Sequence, residues 1–220
     1  MKFLLNLTKH IKVSKQNLYI FLYLALLCLL ASCKPKSLAE EALNSYVKEP
    51  SNGLSQSYEN GQHKVVATIR PTDFVIKQLV ENPTVKVIDS LQKFYANYWY
   101  FNVGFSTSKQ DMLNVLQVQN YQKFSDVLQT VSFRMSEYAY LTTSNKDTIP
   151  LADFSYMRLY GMSRSTDVLM VFENKKAKNT AKHTDWVQLN INEFGAEIGD
   201  VRLRFKTNDM NNIPKLQFKK

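Results

Sequence analysis

Apolar residues recur along the chain at spacings that change from one stretch to the next, and each spacing predicts an element. Leu18 to Ala31 reads LYIFLYLALLCLLA, an uncharged run without periodicity. Lys34 to Asn52 is mixed and polar, with a short helix expected over Leu38 to Val47 before Pro50. LSQSYE and QHKVVATIR flank Asn60-Gly61. Leu54 to Arg70 is therefore expected to be a β-hairpin, because both turn residues tolerate the positive φ of a type I′ turn. Phe74, Val75, Leu79 and Val80 then recur at helical spacing behind Thr72-Asp73, either of which can cap a helix. Asn82-Pro83 stops that helix near Glu81. Val85 to Phe94 is ambiguous, with a second short helix as one reading.

Tyr98 to Phe105 is aromatic and β-favouring throughout, so it predicts a strand. Alternation sets Trp99, Phe101, Val103 and Phe105 on the core face and Tyr98 and Tyr100 on the other. Lys109 to Val131 is the most helical stretch, with Gln119-Asn120 dividing it into two helices. Strands resume over Ser132 to Thr143 and Ile149 to Leu159. They are followed by Asp167 to Phe172, Trp186 to Asn192 and Val201 to Lys206, the last alternating Val, Leu and Phe against Arg, Arg and Lys. These segments predict a mainly β (α+β) fold: an antiparallel, β-sandwich-like domain with a few short helices inserted before its midpoint.

The first 17 residues carry Lys2, Lys9, Lys12 and Lys15 and no acid, and the apolar run follows them. A spanning helix needs roughly 20 apolar residues; this run is shorter and ends in Leu30-Ala31-Ser32-Cys33. Those four residues resemble the lipobox of bacterial lipoproteins. The resemblance implies cleavage before Cys33 and acylation of that cysteine, usually with three chains. Residues 1–32 are then a lipoprotein signal peptide, 33–53 a lipidated tether and 54–220 a single β-rich domain. One chain gives only marginal attachment at about 0.8 kcal/mol per buried methylene, so several make it permanent.

Composition narrows the chemistry. The chain holds two cysteines, Cys28 and Cys33; the expected mature protein of 188 residues keeps no free thiol, which removes disulfides, cysteine-ligated zinc and thiol nucleophiles. Loss of four lysines lowers the net charge from +9 to +5. No Arg-and-aromatic stripe suits nucleic acid, which is not an expected partner, whereas anionic lipid or glycan is compatible. The expected cofactor set is empty apart from the covalent lipid on Cys33.

Asn52-Gly53-Leu54, Arg70-Pro71-Thr72-Asp73, Tyr100-Phe101, Asp147-Thr148-Ile149-Pro150, Leu159-Tyr160-Gly161 and Asn212-Ile213-Pro214 resemble an uncharacterised family of Bacteroidota outer-membrane lipoproteins. That resemblance implies location and a single domain. It supplies no catalytic residue or ligand.

Gly161-Met162-Ser163-Arg164-Ser165 lacks the second glycine and the following helix of a nucleophile elbow. His63 and His183 are the only histidines after Cys33, and His183 has Asp185 close in sequence. Asn190 to Gly195 begins like a calcium loop, but Phe194 and Val201 stand where oxygen ligands are required. Glu193, Glu197 or Asp200 could serve an irregular calcium site, and Glu193 with Glu197 a glycosidase pair. Tyr98, Tyr100 and Trp186 are candidate sugar-stacking residues. Lys175, Lys176, Lys178 and Lys182 form a basic loop suited to an anionic partner. The expected function is non-catalytic: a lipid-anchored accessory subunit that binds another outer-membrane protein, with the periplasmic face favoured over the cell surface. The alternatives are a surface glycan-binding lipoprotein and, third, a cell-wall or glycan hydrolase.

Overall fold

Alternation of buried and more exposed side chains shapes most of the strands that carry the fold. The computed structural model describes residues 37–80, 84–156, 158, 162–174 and 184–218. Leu30, Ala31, Ser32 and Cys33, and the basic-loop residues Lys175, Lys176, Lys178 and Lys182, lie outside the described residues. The chain opens with β1 (Ser37–Leu38) and α1 (Glu40–Lys48), then β2 (Ser55–Asn60) and β3 (His63–Ile69). Helices α2 (Thr72–Leu79) and α3 (Val85–Tyr95) follow, then β4 (Tyr98–Thr107), β5 (Gln110–Asp111), α4 (Met112–Gln119) and α5 (Tyr121–Gln129). Strands β6 (Ala139–Thr143), β7 (Thr148–Tyr156), β8 (Thr166–Glu173), β9 (Trp186–Ile191) and β10 (Val201–Lys206) come next, and α6 (Thr207–Asn211) and β11 (Lys215–Leu216) close the chain.

Among the described residues nine strands form one sheet in the order β10-β9-β6-β7-β8-β4-β3-β2, with β5 added to β4, and every pairing in it is antiparallel. Strand β7 serves two neighbours. Thr148 to Pro150 pair with β6, and beyond an irregularity between Leu151 and Asp153 the strand pairs with β8. Such a bulge bends a strand, and here it turns the corner between two halves of the sheet. The outer strands β10 and β2 come side by side without a ladder. Asn60 Nδ2 bridges the gap by donating to Ile198 O at 3.0 Å. The architecture is the expected β-rich one with short helices, curled almost into a barrel.

The core lies between the halves. Phe101 of β4 meets Phe172 at 5.7 Å and Phe205 of β10 at 5.3 Å, both edge-to-face. Phe101, Val103 and Phe105 are fully buried as their alternation requires, while Trp99 is half-buried against the same cluster. Segment 192–200 buries Phe194, Ala196 and Ile198, and Phe194 stacks edge-on against Phe105 at 5.5 Å.

Several boundaries moved for identifiable reasons. The hairpin loop is Gly61-Gln62, with Asn60 paired to His63. Only Gly61 has positive φ, +60°, as a type II′ turn needs; Asn60 is held in the ladder and spends its amide on Ile198. The strand expected from Ser132 starts at Ala139. Before it the helix of α5 runs on as a wide turn over Thr130–Arg134, because Val127, Val131 and Met135 recur every fourth residue and all are fully buried. The expected cap of α2 is absent: Pro71 occupies that position and makes no side-chain cap bond.

The domain begins earlier than Leu54. Ser37–Leu38 pair in parallel with Lys215–Leu216, and Leu43 and Val47 of α1 belong to the core. Most of the tether expected over residues 33–53 is therefore domain. No helix among the described residues is long and apolar enough to cross a membrane.

Candidate functional site

The outward face of β3, β4 and β8 is lined by small and polar side chains. Register aligns Thr68, Asn102, Leu169 and Ser155 in one row, and Val66, Gly104 and Asp167 in the next. Lys64 and Ser106 form a third. Small residues leave this face low, while Asn44, Val47 and Lys48 of α1 and Phe74 and Gln78 of α2 line its flank. The result is an open groove of about 1190 Å³, somewhat larger than a small-molecule site of about 300–1,000 Å³.

Gly104 makes room for the side chains beside it. A Cβ on it would stand 2.7 Å from Asp167 Oδ1 and 3.1 Å from Ser165 Oγ. Glycine inside a strand commonly marks such a close approach. Asp167 accepts from Ser165 Oγ at 2.7 Å and from Ser163 Oγ at 3.0 Å. Ser163 in turn accepts from the Ser165 amide. The near-elbow sequence thus folds into a serine-aspartate turn at the entry to β8. His63 Nδ1 is bonded to Thr107 Oγ1 at 3.0 Å, not to either serine. His183 and Gly161 lie outside the described residues.

Arg70 is the unusual member. It follows β3, donates its backbone N–H to Tyr100 O at 2.8 Å and lines the groove. Its Nε is buried and has no hydrogen-bond partner, and burial lowers the guanidinium pKa from its usual value. Lys48, Lys64, Lys109 and Arg164 also line the groove, against Glu59 and Asp167. Lys64 pairs with Glu59 at 2.7 Å, and Asp167 is held by its serines, so the remaining charge there is positive.

The three aromatic candidates do not form one surface. Tyr100 is buried, and burial first, then Tyr95 and Tyr98, pushes its hydroxyl pKa up to about 12. Tyr98 is half-buried beside it, ring centroids 6.5 Å apart. Trp186 stands on β9, four strands away in the sheet, and the Arg204 guanidinium covers its ring at 4.0 Å.

The acidic loop serves the fold. Glu193 accepts from the amides of Glu197 and Gly199, and Asp200 accepts from the amide of Glu193. Phe194 interrupts the calcium pattern because it is a core residue. Glu197 pairs with Lys123, which lowers its carboxyl pKa. Among the described residues no three His, Cys, Asp or Glu side chains gather as a metal site.

Sequence reasoning missed the groove. Its signal was the run Asn102, Gly104, Ser106 on one face of an otherwise aromatic strand, and Arg70 gave none.

No family profile and no curated protein matches the chain. Two solved structures are similar to it at low identity. One is a DUF4426 family protein from Pseudomonas aeruginosa, with TM-score 0.35 and 10% identity, covering 70% of this chain and 94% of that one. The other, from Burkholderia pseudomallei, is of unknown function, with TM-score 0.37 and 9% identity, covering 81% of this chain and 94% of that one.

Proposed function

We propose that this chain is a lipid-anchored envelope protein that acts by binding rather than catalysis, and that the groove on β3, β4 and β8 receives a segment of an outer-membrane partner. The lipobox-like Leu30-Ala31-Ser32-Cys33 supports the anchor. The observation that carries the binding reading is the set of basic side chains lining the groove, Lys48, Arg70, Lys109 and Arg164, of which Arg70 is partly buried. An acidic or carbonyl-bearing partner segment would meet these charges. The surplus of basic groups along the groove favours the same chemistry and speeds its association.

Photocrosslinking from the full-length chain in native membranes tests this. A crosslinker at Asn102 or Ser106 should give one adduct of fixed mass, and a crosslinker at Arg202, exposed on β10, should not. Arg70→Met should abolish the adduct while leaving thermal stability equal or higher. Equal adducts from all three positions, or hydrolysis of a cell-wall or glycan substrate by the purified chain, would overturn the reading.

A further inference from the structure

Helix α3 is amphipathic, yet none of its residues is buried. Ile88, Leu91, Gln92 and Tyr95 are half-buried and form the side toward α2. Beside them Val87 and Phe94, two helical turns apart, are 41% and 59% exposed. Leu79 and Val85, at the two ends of the α2–α3 connection, are 55% and 71% exposed. At 100° per residue, Lys86 and Lys93 share the sector next to Val87 and Phe94, with Asp89 beyond them. The helix is held by Gln92 Nε2 donating to Asp73 Oδ1 at 2.7 Å. A pocket of about 570 Å³ remains between it and the segment from Met210 to Pro214. Single exposed apolar residues need no explanation; Val87 and Phe94 on one side of α3, with Leu79 at the end of α2, mark a surface that meets something.

The chain enters the domain beside this hairpin. Leu38 pairs with Leu216, whose N–H donates to Asp73 Oδ2 of α2 at 2.7 Å. Glu40, three residues past Ser37, forms an ion pair with Lys77 in the last turn of α2. Four peptide units separate Cys33 from Ser37, about 14 Å at full extension. The headgroup layer of one leaflet is itself about 5–8 Å deep. A domain tethered through Cys33 cannot hold Ser37, or the hairpin pinned beside it, far from the bilayer.

We propose that the α2–α3 hairpin docks on the bilayer: Leu79, Val87 and Phe94 enter the boundary between headgroups and acyl chains, and Lys86 and Lys93 meet anionic phosphates. The apolar side with adjacent lysines is the pattern of an interfacial helix. The argument for proximity rests on the lipid-anchor reading, whereas the hairpin's composition does not.

The test uses the full-length chain in vesicles of phosphatidylcholine with or without phosphatidylglycerol. A fluorescent dansyl side chain replaces Phe94 or, as the control, Phe133, which is still more exposed, at 78%, on the wide turn after α5. Docking predicts a blue shift and quenching by shallow spin-labelled lipid at position 94 and neither at 133. In anionic vesicles Lys86→Gln or Lys93→Gln should lower the docked-to-undocked ratio about five-fold each. Quenching at 94 no greater than at 133 would overturn the proposal, and so would a shift at 94 seen only in native membranes without lipid quenching, which would identify a protein as the cover. Palmitate incorporation lost in Cys33→Ala reports separately on the anchor. Quenching at 94 without incorporation would keep the docking and remove the lipidated cysteine.

Discussion

Helices α4 and α5 bring Met112, Leu113, Leu116, Phe124 and Val127 into the core, whereas α2 and α3 together bury Ile76 and one carboxylate, Asp73. Both pairs are short amphipathic helices joined by a brief connection. The α4–α5 pair has side-chain caps at both starts, from Asp111 to the Asn114 amide and from Asn120 to the Lys123 amide; α2 and α3 have none. One pair is thus built into the barrel and the other hung beside it on polar contacts. Helices this short are marginal in isolation and take their stability from the surface they cover. An apolar face that covers nothing within the domain is therefore the cheapest place for the molecule to keep a contact surface.

The largest expected effect lies on the built-in pair. Phe124→Ala in the chain from Lys34 onward should lose about 3–5 kcal/mol, the usual cost of deleting a buried aromatic ring. Urea titration followed by tryptophan fluorescence reads it. A loss below about 1 kcal/mol would mean that α5 is no better seated than α3, and the comparison would collapse.

Asp73 is the joint by which the second pair is hung. It accepts from the Leu216 amide and from Gln92, so it ties α2, α3 and the C-terminal strand together. Asp73→Ala leaves that buried amide unpaired, at about 1–3 kcal/mol. Hydrogen exchange should show where: amides of α3 and Leu216 should exchange faster while those of β4 keep their protection. Uniform loss of protection would show instead that the hairpin is part of the cooperative core.

The strands were legible because alternation fixes their faces; Val201 to Lys206 emerged with the predicted bounds and the predicted orientation. Helix–strand choice failed over Ser132 to Tyr138, where apolar spacing fits both periods and continuity with α5 decides. Residues 37–53 read as a leash because their apolar content is low, yet Leu43 and Val47 find the core. The groove stayed hidden for a different reason. It is made by register, which brings Arg70, Gly104, Ser163 and Asp167 together across more than 90 residues, and local pattern carries no register. The acidic loop showed the converse, since carboxylates that satisfy backbone amides have the same spelling as carboxylates that wait for a metal.

The smallest expected effect is the sharpest test of the contrast. Phe94→Ala makes the same substitution as Phe124→Ala, on a helix of the same kind, but at a side chain more than half exposed. In the chain from Lys34 onward, without lipid, it should change stability by no more than about 0.5 kcal/mol, as surface substitutions do. The quantity of interest is the difference between the two variants, about 2.5 kcal/mol or more under identical conditions, which cancels the intrinsic cost of replacing phenylalanine in a helix. If Phe94→Ala cost as much as Phe124→Ala, α3 would be a packed element and its exposed face would be no site for a membrane. If it costs nothing in solution but the full-length variant lies less firmly on vesicles, the ring stabilises an attachment rather than a fold.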